Sequence, residues 1–79
     1  MSPFQLSLGQ FSGPLDLLLH LVRANRMDVF DLDVAKITDE YLGFIHREDA
    51  LNLAEAYHFL AMAATLVELK SRMLLPRHE

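Results

Sequence analysis

Residues 53–75 read LAEAYHFLAMAATLVELKSRMLL, a stretch with an unusually wide apolar face. At about 100° per residue, its apolar side chains cover an arc of roughly 240°, where an ordinary surface helix has an apolar stripe of about 100°. The remaining strip is polar or small, and it comprises Ala54, His58, Ala61, Thr65, Glu68 and Arg72. The pattern predicts one long helix from Leu53 to Leu74 or Leu75, which Pro76 ends.

The width of this arc has a consequence for the whole domain. Two short neighbouring helices cannot cover it, so part of the apolar surface is expected to need another protein or a second copy of the chain. The alternative is the core helix of a three-helix domain with some exposed methionine, since methionine is also common core filler. Both interpretations predict a long helix, and they differ in how much of it one copy of the chain buries.

The first of two shorter helices is predicted over residues 15–25. Ser12 can cap it, and Pro14 lies in the first turn, where a missing N–H has no cost. Its apolar residues form one strip of Leu15, Leu18, Leu19 and Val22 beside a second strip of Leu17 and Leu21.

The second helix is predicted over residues 34–47, with Asp33 as its cap. Its expected buried face comprises Val34, Ile37, Tyr41, Phe44 and Ile45. Asn52 and Glu55 have the spacing of a capping box at the start of the long third helix. The fold class is therefore predicted as all-α, a small three-helix domain with a long C-terminal helix.

Two segments outside the helices carry apolar residues. In residues 4–11, Phe4, Leu6 and Leu8 alternate with polar residues, which is the period of a strand. Such a strand needs an edge from elsewhere, and the alternative is a short extended N-terminal arm that lies on the helices. The connector over residues 27–33 alternates acidic and apolar residues and is expected to lie along the core.

Composition limits the function classes. The 79 residues suffice for one small domain. A net charge of −4, from 7 basic and 11 acidic residues, argues against autonomous binding of DNA or RNA and against docking on anionic lipid. There is no cysteine for a disulfide framework or a thiolate zinc site. The most apolar window, residues 53–69, contains Glu55, His58 and Glu68, which argues against a membrane span. Residues 1–12 lack a signal-peptide pattern.

No catalytic, cofactor-binding or metal-binding residue is predicted. The histidines, His20, His46, His58 and His78, have no partner at the short helical spacings of metal ligands. Asp28, Asp31 and Asp33 lack the glycine turn and terminal glutamate of a calcium loop. Because no nucleophile set or glycine-rich phosphate loop is present either, we predict that the chain is not an enzyme and uses no cofactor.

Three stretches carry a resemblance to a known family. Residues 11–21 (FSGPLDLLLHL), 37–42 (ITDEYL) and 62–76 (MAATLVELKSRMLLP) resemble, in order and spacing, the amino-terminal domain of the ScpA family, the bacterial kleisins. The resemblance covers nearly the whole chain from Phe4. The chain differs from the usual family pattern at Ser12, Asp33, Glu55 and His58.

The resemblance implies a role without catalysis. Kleisins of this family bridge an SMC dimer in a complex for chromosome condensation and segregation. Their amino-terminal helices bind the coiled-coil neck beside one SMC head, a middle segment binds ScpB, and a carboxy-terminal winged-helix domain binds the other head. Residues 1–79 would then be the SMC-binding domain of a longer protein, expected in the cytoplasm and at the nucleoid through SMC.

The leading hypothesis is a non-enzymatic adaptor whose third helix, helped by the second, packs on the SMC neck. The expected contact residues are Phe59, Met62, Leu66, Leu69 and Met73, with Lys70 at the rim. Tyr57, Leu60, Ala64 and Val67 are expected to be internal core. Self-association, through the apolar arc or residues 4–11, is the alternative from another class. A helix-turn-helix DNA binder is the third, and the acidic balance opposes it.

Overall fold

The computed structural model describes residues 8–47 and 53–74. A short 3-10 turn, Leu8–Gln10, precedes three α-helices: α1 (Pro14–Ala24), α2 (Val34–His46) and α3 (Leu53–Leu74). The all-α class is confirmed, and the three helices begin and end within one residue of their predicted bounds. In the described residues α2 packs against both α1 and α3, while α1 and α3 touch each other less.

The start of α1 is built differently from the prediction. Gly13 is the N-cap residue and makes no side-chain capping bond. Ser12 instead donates from its backbone N–H (3.0 Å) and its hydroxyl (3.2 Å) to the carboxylate of Asp16. The prediction that Ser12 caps the helix is therefore wrong. The Asp16 carboxylate in the first turn ties Ser12 to the helix, and a carboxylate there interacts favourably with the positive end of the helix dipole.

The start of α2 agrees with the prediction. Asp33 accepts a hydrogen bond from the backbone N–H of Lys36 at 3.1 Å, which is the N-cap arrangement. The proposed cap of α3 by Asn52 lies outside the described residues.

One hydrophobic core joins the three helices. Its buried apolar members are Leu17, Leu21 and Val22 of α1, Ile37, Tyr41, Phe44 and Ile45 of α2, and Ala56, Phe59, Ala63 and Leu66 of α3. The predicted face of α2 is confirmed, except that Val34 is half-buried. On α1 the buried residues come from both predicted strips, Leu17 and Leu21 from the second and Val22 from the first, while Leu15 of the first strip is exposed.

The segments outside the helices agree only in part. Residues 8–10 form a 3-10 turn and not a strand, while Phe4 and Leu6 lie outside the described residues. Phe11 packs its ring 5.7 Å from that of Phe44 and 5.3 Å from that of His20. In the connector, Met27 and Leu32 pack against the core as expected. Its middle does not, because Val29 and Phe30 are exposed.

Two hydroxyl groups of α2 fix how α3 lies against it. The hydroxyl of Tyr41 donates to the backbone carbonyl of Phe59 at 2.8 Å, and that of Thr38 donates to the carbonyl of Leu66 at 3.4 Å. The earlier residue of α2 pairs with the later residue of α3, so the two helices are antiparallel. Both hydroxyls are buried, and each thereby has the partner that a buried polar group needs.

We expect Tyr41→Phe to lower the free energy of unfolding by about 1 kcal/mol, the net contribution of a typical buried hydrogen bond. Urea unfolding followed by circular dichroism measures the change. Tyr57→Phe is the matched control, because the Tyr57 side chain is exposed and should unfold as the unchanged chain does. Equal stability of the two variants would contradict a stabilising role for the Tyr41 hydroxyl.

The same pair of variants tests how the free energy of unfolding depends on pH. Burial raises the pKa of Tyr41 to about 12 from its ordinary 10.0. The unfolded chain therefore loses this proton at lower pH than the folded one, and unfolding becomes more favourable as pH rises. The contribution of Tyr41 is fully present below pH 10 and is lost as pH rises from there through about 12. The stability advantage of the unchanged chain over Tyr41→Phe should shrink across this window.

Candidate partner-binding surface

The side of α3 that faces the other helices contains two residues that were expected to contact a partner. Phe59 is 8% exposed and Leu66 is 5% exposed, and both belong to the core with Ala63. Phe59 and Leu66 are therefore not accessible on the surface of the free chain, and their contact with a partner stays a prediction. The hydroxyls of Thr38 and Tyr41 bond to the carbonyls of these same two residues, so this side of α3 is held against α2.

The residues predicted to be internal core are exposed instead. Tyr57 is 67% exposed, Leu60 44% and Val67 43%, and Ala64 between them is exposed as well. These four residues, hereafter the α3 strip, follow one another at alternating spacings of three and four residues. That spacing is the a/d pattern of a coiled-coil helix, which packs knobs into the holes of a neighbouring helix.

A second apolar flank lies on the other side of the buried face. Leu69 and Met73 are exposed, and Met62 is half-buried and packs against the core. These three residues were expected to contact a partner, and Leu69 and Met73 are accessible for it. Whether any of the expected residues contacts a partner stays a prediction.

The outer side of α3 is polar, as the sequence predicts. His58, Ala61, Thr65, Glu68 and Arg72 are exposed there, and Arg72 forms an ion pair with Glu68 one turn away at 2.6 Å. The wide apolar arc is thus divided into a buried middle and two exposed flanks. The surplus of apolar surface over what one copy covers is confirmed.

The size of this surplus can be stated in free energy. Fully burying one large apolar side chain contributes about 1.5–3 kcal/mol. Tyr57, Leu60 and Val67 are each between two-fifths and two-thirds exposed, so a covering surface would recover a substantial part of that for each. For a small domain, whose whole stability is only about 5–15 kcal/mol, this is a strong reason for a partner.

Lys70 was expected at the rim of the docking surface. Its ammonium group lies 2.8 Å from the carboxylate of Asp39 on α2, and both side chains are partly exposed. An exposed pair of this kind contributes at most about 1 kcal/mol. Lys70 therefore helps to link α2 and α3, and its charge is already matched within the chain.

Other kinds of site find no support in residues 8–47 and 53–74. No group of three or more histidine or acidic side chains there could hold a metal ion. No helix in this part of the chain is long and apolar enough to cross a bilayer. A shallow depression beside Ser12, Pro14 and Leu19 is open to solvent. The exposed flanks of α3 are accordingly the main candidate site.

Comparison with known proteins identifies the family. The family described as "Segregation and condensation protein ScpA" matches residues 21–79. This chain belongs to the ScpA family. The chain is 51% identical over 98% of its length to segregation and condensation protein A of Lactiplantibacillus plantarum. It is 49% identical over its full length to the Bacillus subtilis protein and 53% identical over 96% to that of Myxococcus xanthus, both of the same name.

The match with these ScpA relatives has a defined extent. The chain spans 30% of the L. plantarum protein, 32% of the B. subtilis protein and 26% of the M. xanthus protein. Membership of the ScpA family associates it with chromosome partition, chromosome condensation and the cell cycle. The names of these relatives state no enzyme activity.

In this ScpA-family chain the sequence contains a signal for the α3 strip, although the pattern by itself predicts these residues as core. Tyr57, Leu60, Ala64 and Val67 have regular a/d spacing, whereas the buried set of Ala56, Phe59, Ala63 and Leu66 has the same spacing one position earlier. The two sets are indistinguishable by period. Only the neighbouring helix decides which one is buried.

Proposed function

We propose that this chain is the non-enzymatic SMC-docking domain of a ScpA kleisin, and that α3 packs along the coiled-coil neck of an SMC protein. The observation that carries the proposal is the exposed α3 strip with its coiled-coil spacing. Membership of the ScpA family supports a role in chromosome segregation and condensation, and the resemblance to kleisins supports SMC as the partner.

The α3 strip has the properties that packing beside a coiled coil requires. Its residues repeat at the spacing by which helices of a coiled coil interlock. Ala64 in its middle has a small side chain, which lets a partner helix approach closely, while Tyr57 and Val67 on either side supply apolar area. A helix of the neck placed along this strip would extend the three-helix domain into a larger bundle.

Leu69 and Met73 on the second flank are proposed as further contacts, with Met62 at its inner edge. Phe59 and Leu66 serve docking only by holding α3 in place. Lys70 could reach the neck only by leaving Asp39, so it is not proposed as a main contact.

The wider assembly follows from the same kleisin resemblance. We propose that ScpB binds parts of the relatives' length that lie outside these residues. We also propose that the protein works in the cytoplasm, at the nucleoid, where its SMC partner brings it. The acidic charge opposes direct contact with DNA.

Calorimetric titration with an SMC head that retains its neck, compared with the same head lacking the coiled coil, tests the proposal. Saturable binding is expected with the first fragment and none with the second. Equal binding to both fragments, or to neither, would refute docking on the neck. Sedimentation velocity over a range of concentrations belongs beside it, because a stable dimer of the chain would favour self-association through the same strip.

A further inference from the structure

The connector between α1 and α2 exposes an aromatic side chain. Phe30 is 95% exposed, and its neighbour Val29 is exposed as well. Met27 before them and Leu32 after them pack against the core, so the segment is anchored at both ends. Phe30 and Val29 thus form an exposed apolar pair in a segment that is otherwise packed on the core. Such a pair is a candidate contact site for a partner.

Hydrogen bonds define the turn that presents Phe30. Its backbone N–H donates to the carboxylate of Asp28 at 2.9 Å, and the N–H of Asp31 donates to the carbonyl of Asp28 at 3.0 Å. Asp28 and Asp31 also form an isolated antiparallel bridge. Because hydrogen bonds already fix the backbone of this turn, binding of the Phe30 ring by a partner costs little conformational entropy in the turn.

The charge around the ring indicates what kind of surface would accept it. Asp28, Asp31 and Asp33 are all exposed and lie within three residues of Phe30, and they outnumber the one basic residue that directly precedes the connector, Arg26. Such a cluster of carboxylates repels phosphate groups and anionic lipid. It favours an apolar pocket with lysine or arginine at its rim.

The position of the connector relates it to α3. Thr38 in α2 bonds to Leu66, and Asp39 pairs with Lys70, so the beginning of α2 lies beside the last turns of α3. The connector, which leads directly into α2, is thus at the same end of the bundle as the C-terminal half of α3. A partner that lies along Val67 extends toward this end.

We infer that Phe30 is a second anchor for the SMC partner and enters an apolar pocket on it that has a basic rim. This inference rests on the proposed function and adds a contact that lies outside α3. Two copies joined symmetrically at this connector do not satisfy it, because their carboxylate clusters would face each other and repel.

Titration of the SMC head-plus-neck fragment with variants of the connector tests the inference. Phe30→Ala should weaken binding about tenfold, the effect of removing a buried aromatic anchor. Asp31→Asn should weaken binding about twofold at low salt and make it less salt-dependent, because it removes one charge facing the basic rim. Leu15→Ala is the matched control, since it removes an exposed apolar side chain of α1 and should bind unchanged.

The outcomes are distinguishable. Phe30→Ala should keep the thermal midpoint of the unchanged chain, since the ring packs on little of the domain. If the unchanged chain binds the neck and Phe30→Ala binds equally well, the second anchor is refuted while docking through α3 stands. If binding of Asp31→Asn has the same salt dependence as binding of the unchanged chain, the basic rim is refuted.

If the unchanged chain does not bind at all, the proposed function fails, and this inference with it. A Phe30-dependent dimer in sedimentation would make a second copy the occupant and overturn the inference.

Discussion

Val67→Glu is expected to weaken binding to the SMC neck by about 100-fold or more. Val67 lies at a d-type position of the α3 strip, where a partner helix would enclose its side chain. A carboxylate enclosed there without a basic partner costs several kcal/mol, and about 2.7 kcal/mol already corresponds to a 100-fold loss. Because Val67 is exposed in the free chain, and glutamate favours helices more than valine does, the domain itself should stay folded.

The same titration with Leu15→Glu controls for added negative charge. Leu15 is an exposed leucine in the first turn of α1, where a carboxylate suits the helix dipole. This variant should bind the neck like the unchanged chain. If Val67→Glu also bound normally with an unchanged circular dichroism spectrum, the α3 strip would not be the docking surface.

Leu66→Ala is expected to have its large effect on folding. Its side chain lies in the core between α2 and α3, and truncating a buried leucine costs about 3 kcal/mol from lost transfer energy and the cavity left behind. That is a large share of the stability of a domain of 79 residues. Urea unfolding measures the loss, and the midpoint should fall well below that of the unchanged chain.

Leu69→Ala provides the comparison on the same helix. Leu69 is two-fifths exposed, so its truncation should cost less than about 1 kcal/mol of stability. A Leu66→Ala variant that kept its stability but lost SMC binding would mean that Leu66 contributes to the docking surface and not to the core.

The helices of this domain could be predicted because local chemistry marks their ends. Pro14, Asp33 and Pro76 act within one turn of chain, and each gives the same signal in any tertiary setting. The residue at which α1 is capped was less predictable. Ser12 has the usual chemistry of an N-cap, but the N-cap residue is Gly13, and the Ser12 hydroxyl donates to Asp16 instead of accepting from the helix.

Which apolar face of α3 is left exposed could not be predicted from the sequence. Leu60 and Val67 are as apolar as Phe59 and Leu66, and both pairs have the same seven-residue spacing. What decides between them is the position of two side chains on another helix, Tyr41 and Thr38, which hydrogen-bond to α3. Such contacts depend on how α2 and α3 are brought together and leave no period in the sequence of α3.

The exposure of Phe30 was also missed, for a related reason. Four apolar residues in a connector of seven have no repeating pattern that separates Met27 and Leu32, which pack on the core, from Val29 and Phe30, which do not. The Asx turn at Asp28 separates them, because it directs the two middle residues away from the bundle.

The two hydroxyl bonds from α2 to the backbone of α3 also bear on how association proceeds. They attach at carbonyls two turns apart, so α3 can neither slide by one residue nor roll about its axis without breaking both. The exposed side of α3 is therefore already in position before a partner binds. Association would resemble the docking of two rigid bodies more than folding upon binding. Association rates should then depend on orientation and charge, with no slow rearrangement of this domain to wait for.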